Sequence, residues 1–240
     1  MPANSPKNAS QLVQPWTHWF FYGDSGSGKT RAASTFPRPL FIVPQNEGSL
    51  ATLRGEDFPY YEVSDMSSPL VNGVGGMTRV LDEIEELYAK NPDEFPYDTI
   101  VIESLTHYTD LVIEELSNGG RTMMDQFRWG QLSGHLRNVQ ARLRRLDVHA
   151  VFTALAETDK GDDNAVTGEP MLSGKSALKL PAACDVIGYC EVTTGKNNPI
   201  WRVHFRRHKH FMARTRFAGL PASVDNFDFE QIKHLLRAGA

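Results

Sequence analysis

Two cysteines in 240 residues, Cys184 and Cys190, are too few for a disulfide framework and suit a reducing compartment. No apolar run approaches the roughly 18 residues of a membrane span. Residues 1–15 are polar, carry Pro2, Pro6 and Pro15, and lack the apolar core of a secretory leader. Secreted, membrane and disulfide-scaffold classes are therefore not expected. Basic residues are not in excess either: 25 Lys and Arg against 29 Asp and Glu give a formal charge of −4, which excludes a globally basic, histone-like nucleic-acid binder but leaves room for a local basic face. There is no internal repeat and no Cys-x-x-Cys. The length is ample for a core that needs no covalent or metal staple.

What is present is an alternation. Residues 1–15 read as a flexible tail or arm, and 16–240 as one domain. Trp19-Phe20-Phe21-Tyr22, Leu40-Phe41-Ile42-Val43, Thr99-Ile100-Val101-Ile102 and the stretch from Val148 to Leu155 are short, apolar and rich in aromatic or β-branched residues, as buried parallel strands are. Between them, Val80, Leu81, Ile84, Leu87 and Tyr88 recur at helical spacing, as do Leu132, Leu136, Val139, Leu143 and Leu146. The expectation is an α/β fold with a mostly parallel central sheet flanked by helices. Asp185 to Val192 and Ile200 to Phe205, joined by a turn-like Thr194 to Pro199, predict a hairpin closing the sheet. Asp228 to Arg237 predicts a last short helix.

Charge is uneven. From Gln45 to Glu103 there are 13 acids and three bases, whereas Trp201 to Phe217 holds six bases and no acid. Two differently employed surfaces are implied.

The strongest motif is Gly23-Asp24-Ser25-Gly26-Ser27-Gly28-Lys29-Thr30, a full G-x-x-x-x-G-K-[ST] pattern between an apolar strand and a helix-compatible Arg31-Ala32-Ala33. Glycines let successive backbone N–H groups turn toward one anion, Lys29 reaches the β- and γ-phosphates, and the Thr30 hydroxyl suits Mg²⁺. Glu103, after Thr99 to Ile102, occupies the strand-end position of a Walker B acid, where most such proteins carry Asp, and is the second metal residue. Glu47, after the strand Phe41 to Pro44, is placed to activate the water that attacks the γ-phosphate. Thr153 or Glu157 would sense that phosphate.

These segments resemble the core of RecA-like P-loop ATPases. The likeness is closer to a phage group of small core-only RecA-like proteins, whose segments are similar to Trp129-Gly130-Gln131-Leu132, Val151-Phe152-Thr153-Ala154, Pro170 to Lys175 and Cys184 to Tyr189. The resemblance covers about Trp16 to Pro221. It implies an ATPase with ATP and Mg²⁺ as cofactors, acting in DNA recombination by single-strand annealing. It also implies a homo-oligomer, ring or filament, with ATP between subunits, a single-strand-binding protein as a further partner, no membrane, and a cytoplasmic setting in the host if phage-encoded. Glu47 matches the family's catalytic glutamate. Arg214-Thr215-Arg216-Phe217-Ala218-Gly219 looks like the K-x-R-x-G element presented to a neighbouring subunit's γ-phosphate; Arg214 replaces the lysine, and Gly219 sits one residue late.

Two loops are then expected to face single-stranded DNA: Ser117 to Gly130, with Arg121 and Arg128 beside Phe127 and Trp129, and Glu157 to Lys175, with Lys160 and Lys175. Arg206 and Arg207 add a third basic group. His204, His208 and His210 alternate, but without further ligands no metal beyond Mg²⁺ is expected. Other classes that fit the same motif are a non-catalytic ATP-dependent partner switch or helicase loader, and a small-molecule or nucleotide kinase. A kinase would want an arginine-rich lid that this chain lacks.

Overall fold

The computed structural model describes residues 15–45, 47–160, 166–173, 176–195 and 198–236. All of the expected tail except Pro15 lies outside them, as do Lys175 and the end of the expected last helix.

The chain runs β1 (His18–Gly23), α1 (Lys29–Ser34), β2 (Pro39–Pro44), β3 (Tyr60–Asp65), β4 (Val74–Gly76), α2 (Met77–Lys90), β5 (Thr99–Ile102), α3 (Leu105–Leu116), α4 (Gln126–Leu143) and β6 (His149–Lys160). It continues through β7 (Val166–Pro170), α5 (Ser176–Ala183), β8 (Val186–Thr194), β9 (Pro199–His204), β10 (His210–Phe211), β11 (Arg214–Thr215), β12 (Ser223–Asp225) and α6 (Phe229–Ile232).

One sheet organises these pieces in the order β12-β9-β8-β1-β6-β5-β2-β3-β4. The strands from β8 to β4 are parallel, and β9 and β12 run antiparallel at one edge. This is the expected α/β architecture, a mostly parallel central sheet flanked by helices, with β8 and β9 forming the expected hairpin. The strand carrying the glycine-rich loop, β1, is central, and β6 separates it from β5.

Side-chain alternation explains the layers. Phe20 and Tyr22 of β1, Leu40 and Ile42 of β2, and Ile100 and Ile102 of β5 point to one face, where α2, α3 and α4 cover them. Trp19, Phe21, Phe41 and Val101 point to the other, under α1, Phe36, Phe205 and α6. All four aromatics of β1 are fully buried, each stabilising the fold by roughly 1.5–3 kcal/mol. Trp19 sits among Phe36, Phe205, Phe227 and Phe229 at ring-centroid distances of 5.4 to 6.2 Å.

Two expectations are corrected. Of the expected loop Glu157 to Lys175, residues 157–160 and 166–170 are strand instead: β6 runs on past Leu155 and pairs antiparallel with β7 as a projecting ribbon. Ser117 to Gly130 is a loop only to Asp125, because Asp125 accepts a hydrogen bond from Arg128 N and starts α4, so Phe127 and Trp129 stand on a helix. The expected last short helix is found: α6 is capped by Asp228 and passes into a 3-10 turn over Lys233–Leu236. Among the described residues, no helix is long and apolar enough to cross a membrane.

Candidate nucleotide site

The glycine-rich loop leaves the end of β1 and is held tightly on both sides. A Cβ on Gly23 would come within 2.1 Å of the Cys190 carbonyl oxygen on β8, so only glycine fits there. Gly28 adopts a left-handed φ of 89° as α1 begins, with the Trp201 ring packed against it. Trp201 Nε1 donates to Gly26 O at 3.2 Å, which ties the loop to β9.

Lys29 is buried, and its Nζ donates to Gly23 O at 3.0 Å and Asp24 O at 2.8 Å, so the ammonium is held across the loop. Burial lowers its pKa, opposed by the charges of Glu103, Asp24 and Glu47. Thr30 donates to Glu103 Oε1 at 3.1 Å, which brings the end of β5 to the start of α1. Glu103 is almost fully buried; that burial pushes its carboxyl up to about 7, against the pull of the Lys29 charge. Among the described residues its Oε2 has no hydrogen-bond partner.

Glu47 reaches the same place from the segment after β2. Its Oε2 accepts from Ser104 N at 3.1 Å, and its Oε1 lies 2.8 Å from His107 Nδ1. Burial raises its pKa, and His107 and the Ser104 N–H act against that rise. The ends of β1, β2 and β5 thus converge Lys29, Thr30, Glu47 and Glu103, which the sequence placed at three separate strand ends. Thr153, fully buried on β6, lies beside this group, its hydroxyl directed at Ile102 O, 3.4 Å away. Glu157 is exposed on the ribbon.

A protein-family model described as "AAA domain" (AAA_24) matches residues 17–217. The chain belongs to this AAA-domain family. Membership carries ATP binding and hydrolysis as the family's general activity. No curated protein matches the chain. Among solved structures, a KaiC-like protein from the hyperthermophilic archaeon Pyrococcus horikoshii OT3 is similar over 83% of this chain and 81% of that one, at 12% identity and a TM-score of 0.47.

A Mg²⁺ ion fits the donor set of this AAA domain. The unpartnered Glu103 Oε2 and the Thr30 hydroxyl are oxygen donors of the kind Mg²⁺ takes, and a cation would relieve the burial of that carboxylate. On the other side of α1, a cavity of about 550 Å³ runs from Gly28 past Arg31 and Thr35 to Trp201, Asn226 and Gln231. The Arg31 guanidinium lies 5.7 Å from the Trp201 ring centroid. Sequence reasoning missed Trp201 because its partners lie 175 residues away. It missed His107 too, although Ser104 and His107 stand at i, i+3 at the start of α3.

The remaining candidates lie apart from this centre. β11 pairs with Val186 and Ile187, where β8 begins, whereas the glycine-rich loop lies at the other end of the sheet. Arg214 donates to Ala182 O and Cys184 O at 2.9 and 3.1 Å. Arg216 pairs with Asp185 at 3.1 Å and stays 51% exposed. Arg128 is tied down by Asp125 at 2.8 Å and Leu116 O at 3.1 Å, whereas Arg121 is exposed. Lys160 closes β6. Arg206 reaches the Phe205 and Leu220 carbonyls at 3.3 and 3.5 Å; Arg207 is exposed.

Glu191, His204 and His208 bring three ligand atoms within 4.8 Å of one another. The two imidazoles stack at 3.9 Å with planes only 20° apart, so no single ion lies in the plane of both rings. The close contact is the Glu191–His204 pair at 2.9 Å. Cys184 and Cys190 are buried thiols, each pushed up to about 12 by burial, and neither has the character of a nucleophile.

Proposed function

We propose that this AAA domain binds ATP with Mg²⁺ and hydrolyses it, and that it does so as a homo-oligomer on single-stranded DNA in phage recombination by strand annealing. The observation that carries the chemistry is the convergence of Lys29, Thr30, Glu103 and Glu47 at neighbouring strand ends. Lys29 and the loop amides hold the phosphates, Thr30 and Glu103 hold Mg²⁺, and Glu47 takes the proton of the attacking water. Mg²⁺ would neutralise charge developing on the phosphate oxygens. The base would occupy the cavity beside Arg31 and Trp201, where a purine finds an aromatic wall and the Asn226 and Gln231 amides.

The DNA part rests on placement. The β6–β7 ribbon projects past the end of β1, and the loop before α4 exposes Arg121 and Met123, next to the exposed Phe127 in the first turn of α4. Basic groups beside exposed apolar and aromatic ones suit a face that tracks phosphates and stacks bases.

The test is ATP turnover of the purified protein with and without single-stranded DNA, with particle size followed by light scattering. Stimulated turnover with assembly is expected, and DNA affinity should fall steeply as salt rises, because phosphate contacts release counterions. Absent stimulation and assembly would remove the DNA reading. Tight ATP binding with no turnover would favour a partner switch or helicase loader, an outcome to which the near-neutral Glu103 lends some weight.

Arg216→Ala tests the shared site. Asp185 keeps the His18 N–H at 2.8 Å and Arg144 at 3.9 Å, and a half-exposed pair is worth about 1 kcal/mol or less, so the fold should hold. Turnover should nevertheless drop by roughly a hundredfold or more if this arginine serves a neighbour's γ-phosphate. Unchanged turnover would place Arg216 in the subunit's own framework alone.

A further inference from the structure

The contacts of Glu47 single out one more residue. Glu47 does not stand on a strand. It follows β2 in irregular backbone, so its carboxylate depends on side-chain and amide tethers for its aim. Two tethers come from the start of α3. Ser104 N donates to Oε2, and His107 Nδ1 lies 2.8 Å from Oε1. The same Nδ1 is 2.9 Å from Ser104 Oγ.

Ser104 occupies the N-cap position of α3, where a serine hydroxyl ordinarily accepts from a backbone N–H of the first turn. Here the hydroxyl makes no such bond and turns to His107 and, at 3.5 Å, to Glu47. The helix start is thus organised around the glutamate rather than around its own free amides.

We infer that His107 is a positioning residue for Glu47, holding its carboxylate aimed and available as the base. The inference rests on the reading of Glu47 as that base. A neutral His107 with its proton on Nδ1 donates to Glu47; a charged one does so and also favours the anion. The other groups that act on this carboxylate are Glu103 from β5, which opposes its ionisation, and Lys29 from α1, which favours it. His107 is therefore the side-chain tether contributed by α3, and with its side chain 45% exposed it can be replaced without opening the core.

The experiment compares wild type, His107→Ala, His107→Gln and Glu47→Gln for kcat and KM of ATP turnover and for affinity toward a fluorescent ATP analogue. His107→Ala should lower kcat about tenfold or more, since a misaimed base costs rate rather than binding. KM and analogue affinity should stay within about twofold. His107→Gln, which still carries a donor, should recover part of kcat. The acid limb of the kcat profile should move to higher pH in His107→Ala, because a group that favours the Glu47 anion has gone.

Unchanged kcat in His107→Ala, with turnover lost in Glu47→Gln, overturns this inference and leaves the Glu47 reading intact. Unchanged turnover in Glu47→Gln overturns that reading and this inference with it. A parallel loss of kcat and analogue affinity marks a merely structural histidine. Imidazole NMR reads the contact independently of turnover: Glu47→Gln should shift the His107 ring resonances, because the Nδ1 partner at 2.8 Å has changed. No change there removes the contact.

Discussion

Lys29→Ala is expected to cost roughly a hundredfold in ATP affinity and to leave no measurable turnover. A hydrogen bond to a charged group contributes up to about 3 kcal/mol, and in affinity that is about two powers of ten. Lys29 should reach that upper end because its ammonium is buried and pre-aimed. Its Nζ is fixed over the loop by Gly23 O and Asp24 O, so little side-chain freedom is lost when phosphate arrives. The charge also serves the unliganded site, where it acts on Glu103 and Glu47. The variant should therefore lose some stability as well, with the buried Glu103 left without its counter-charge. Calorimetric titration with ATP, checked by thermal melts, separates the two effects. An affinity within twofold of wild type, in a protein that melts normally, would remove the phosphate-loop reading of Gly23 to Thr30 and the proposed activity with it.

The parts of this site that were legible in the sequence are those whose signal is local. The glycine-rich motif occupies eight consecutive residues, and the strands before and after it are short apolar runs that announce their own burial. Glu103 and Glu47 were found by counting from strand ends. The packing of Trp201 on Gly28, by contrast, depends on β8 and β9 folding back beside β1, and no spacing within 201–217 encodes that. The same stretch was read for its charge, yet Arg206, Arg214 and Arg216 spend donors on backbone carbonyls or Asp185. Charge composition reports how many cations there are, and tertiary structure decides which are free. The loop expectations failed for a related reason. The β6–β7 ribbon is rich in Glu, Asp and Gly, and its pairing is supplied by cross-strand hydrogen bonds rather than by an apolar pattern. α3 went unread because buried Thr106 and Thr109 interrupt its apolar stripe. Thr106 is buried for a purpose: its hydroxyl donates to Met171 O and accepts from Leu155 N, joining α3 to the base of the ribbon.

Glu103→Gln should raise the stability of the protein at neutral pH while removing its turnover. The carboxyl is pushed from an ordinary 4.5 up to about 7 by burial. A carboxyl whose folded pKa lies above its unfolded one favours folding in its protonated form. Its contribution is therefore full below about pH 4.5, falls as pH rises toward 7, and is a penalty of up to about 3 kcal/mol above that. Glutamine keeps the shape and the Thr30 contact without the charge. The two proteins should melt alike at acid pH and diverge between pH 4.5 and 7, with the variant the more stable on the alkaline side. Wild type should recover the difference when Mg²⁺ and ATP are added, since a ligand that binds only the folded state stabilises it, and the variant should gain much less. A variant that melts like wild type at pH 8 would mean the buried carboxylate is not costly, and normal turnover would take Glu103 out of the metal site. The expected pattern instead gives the departure from the usual aspartate a physical meaning. The longer side chain places a poorly solvated acid beside Thr30 and Lys29, a cost that the unliganded fold carries and that a bound cation would relieve.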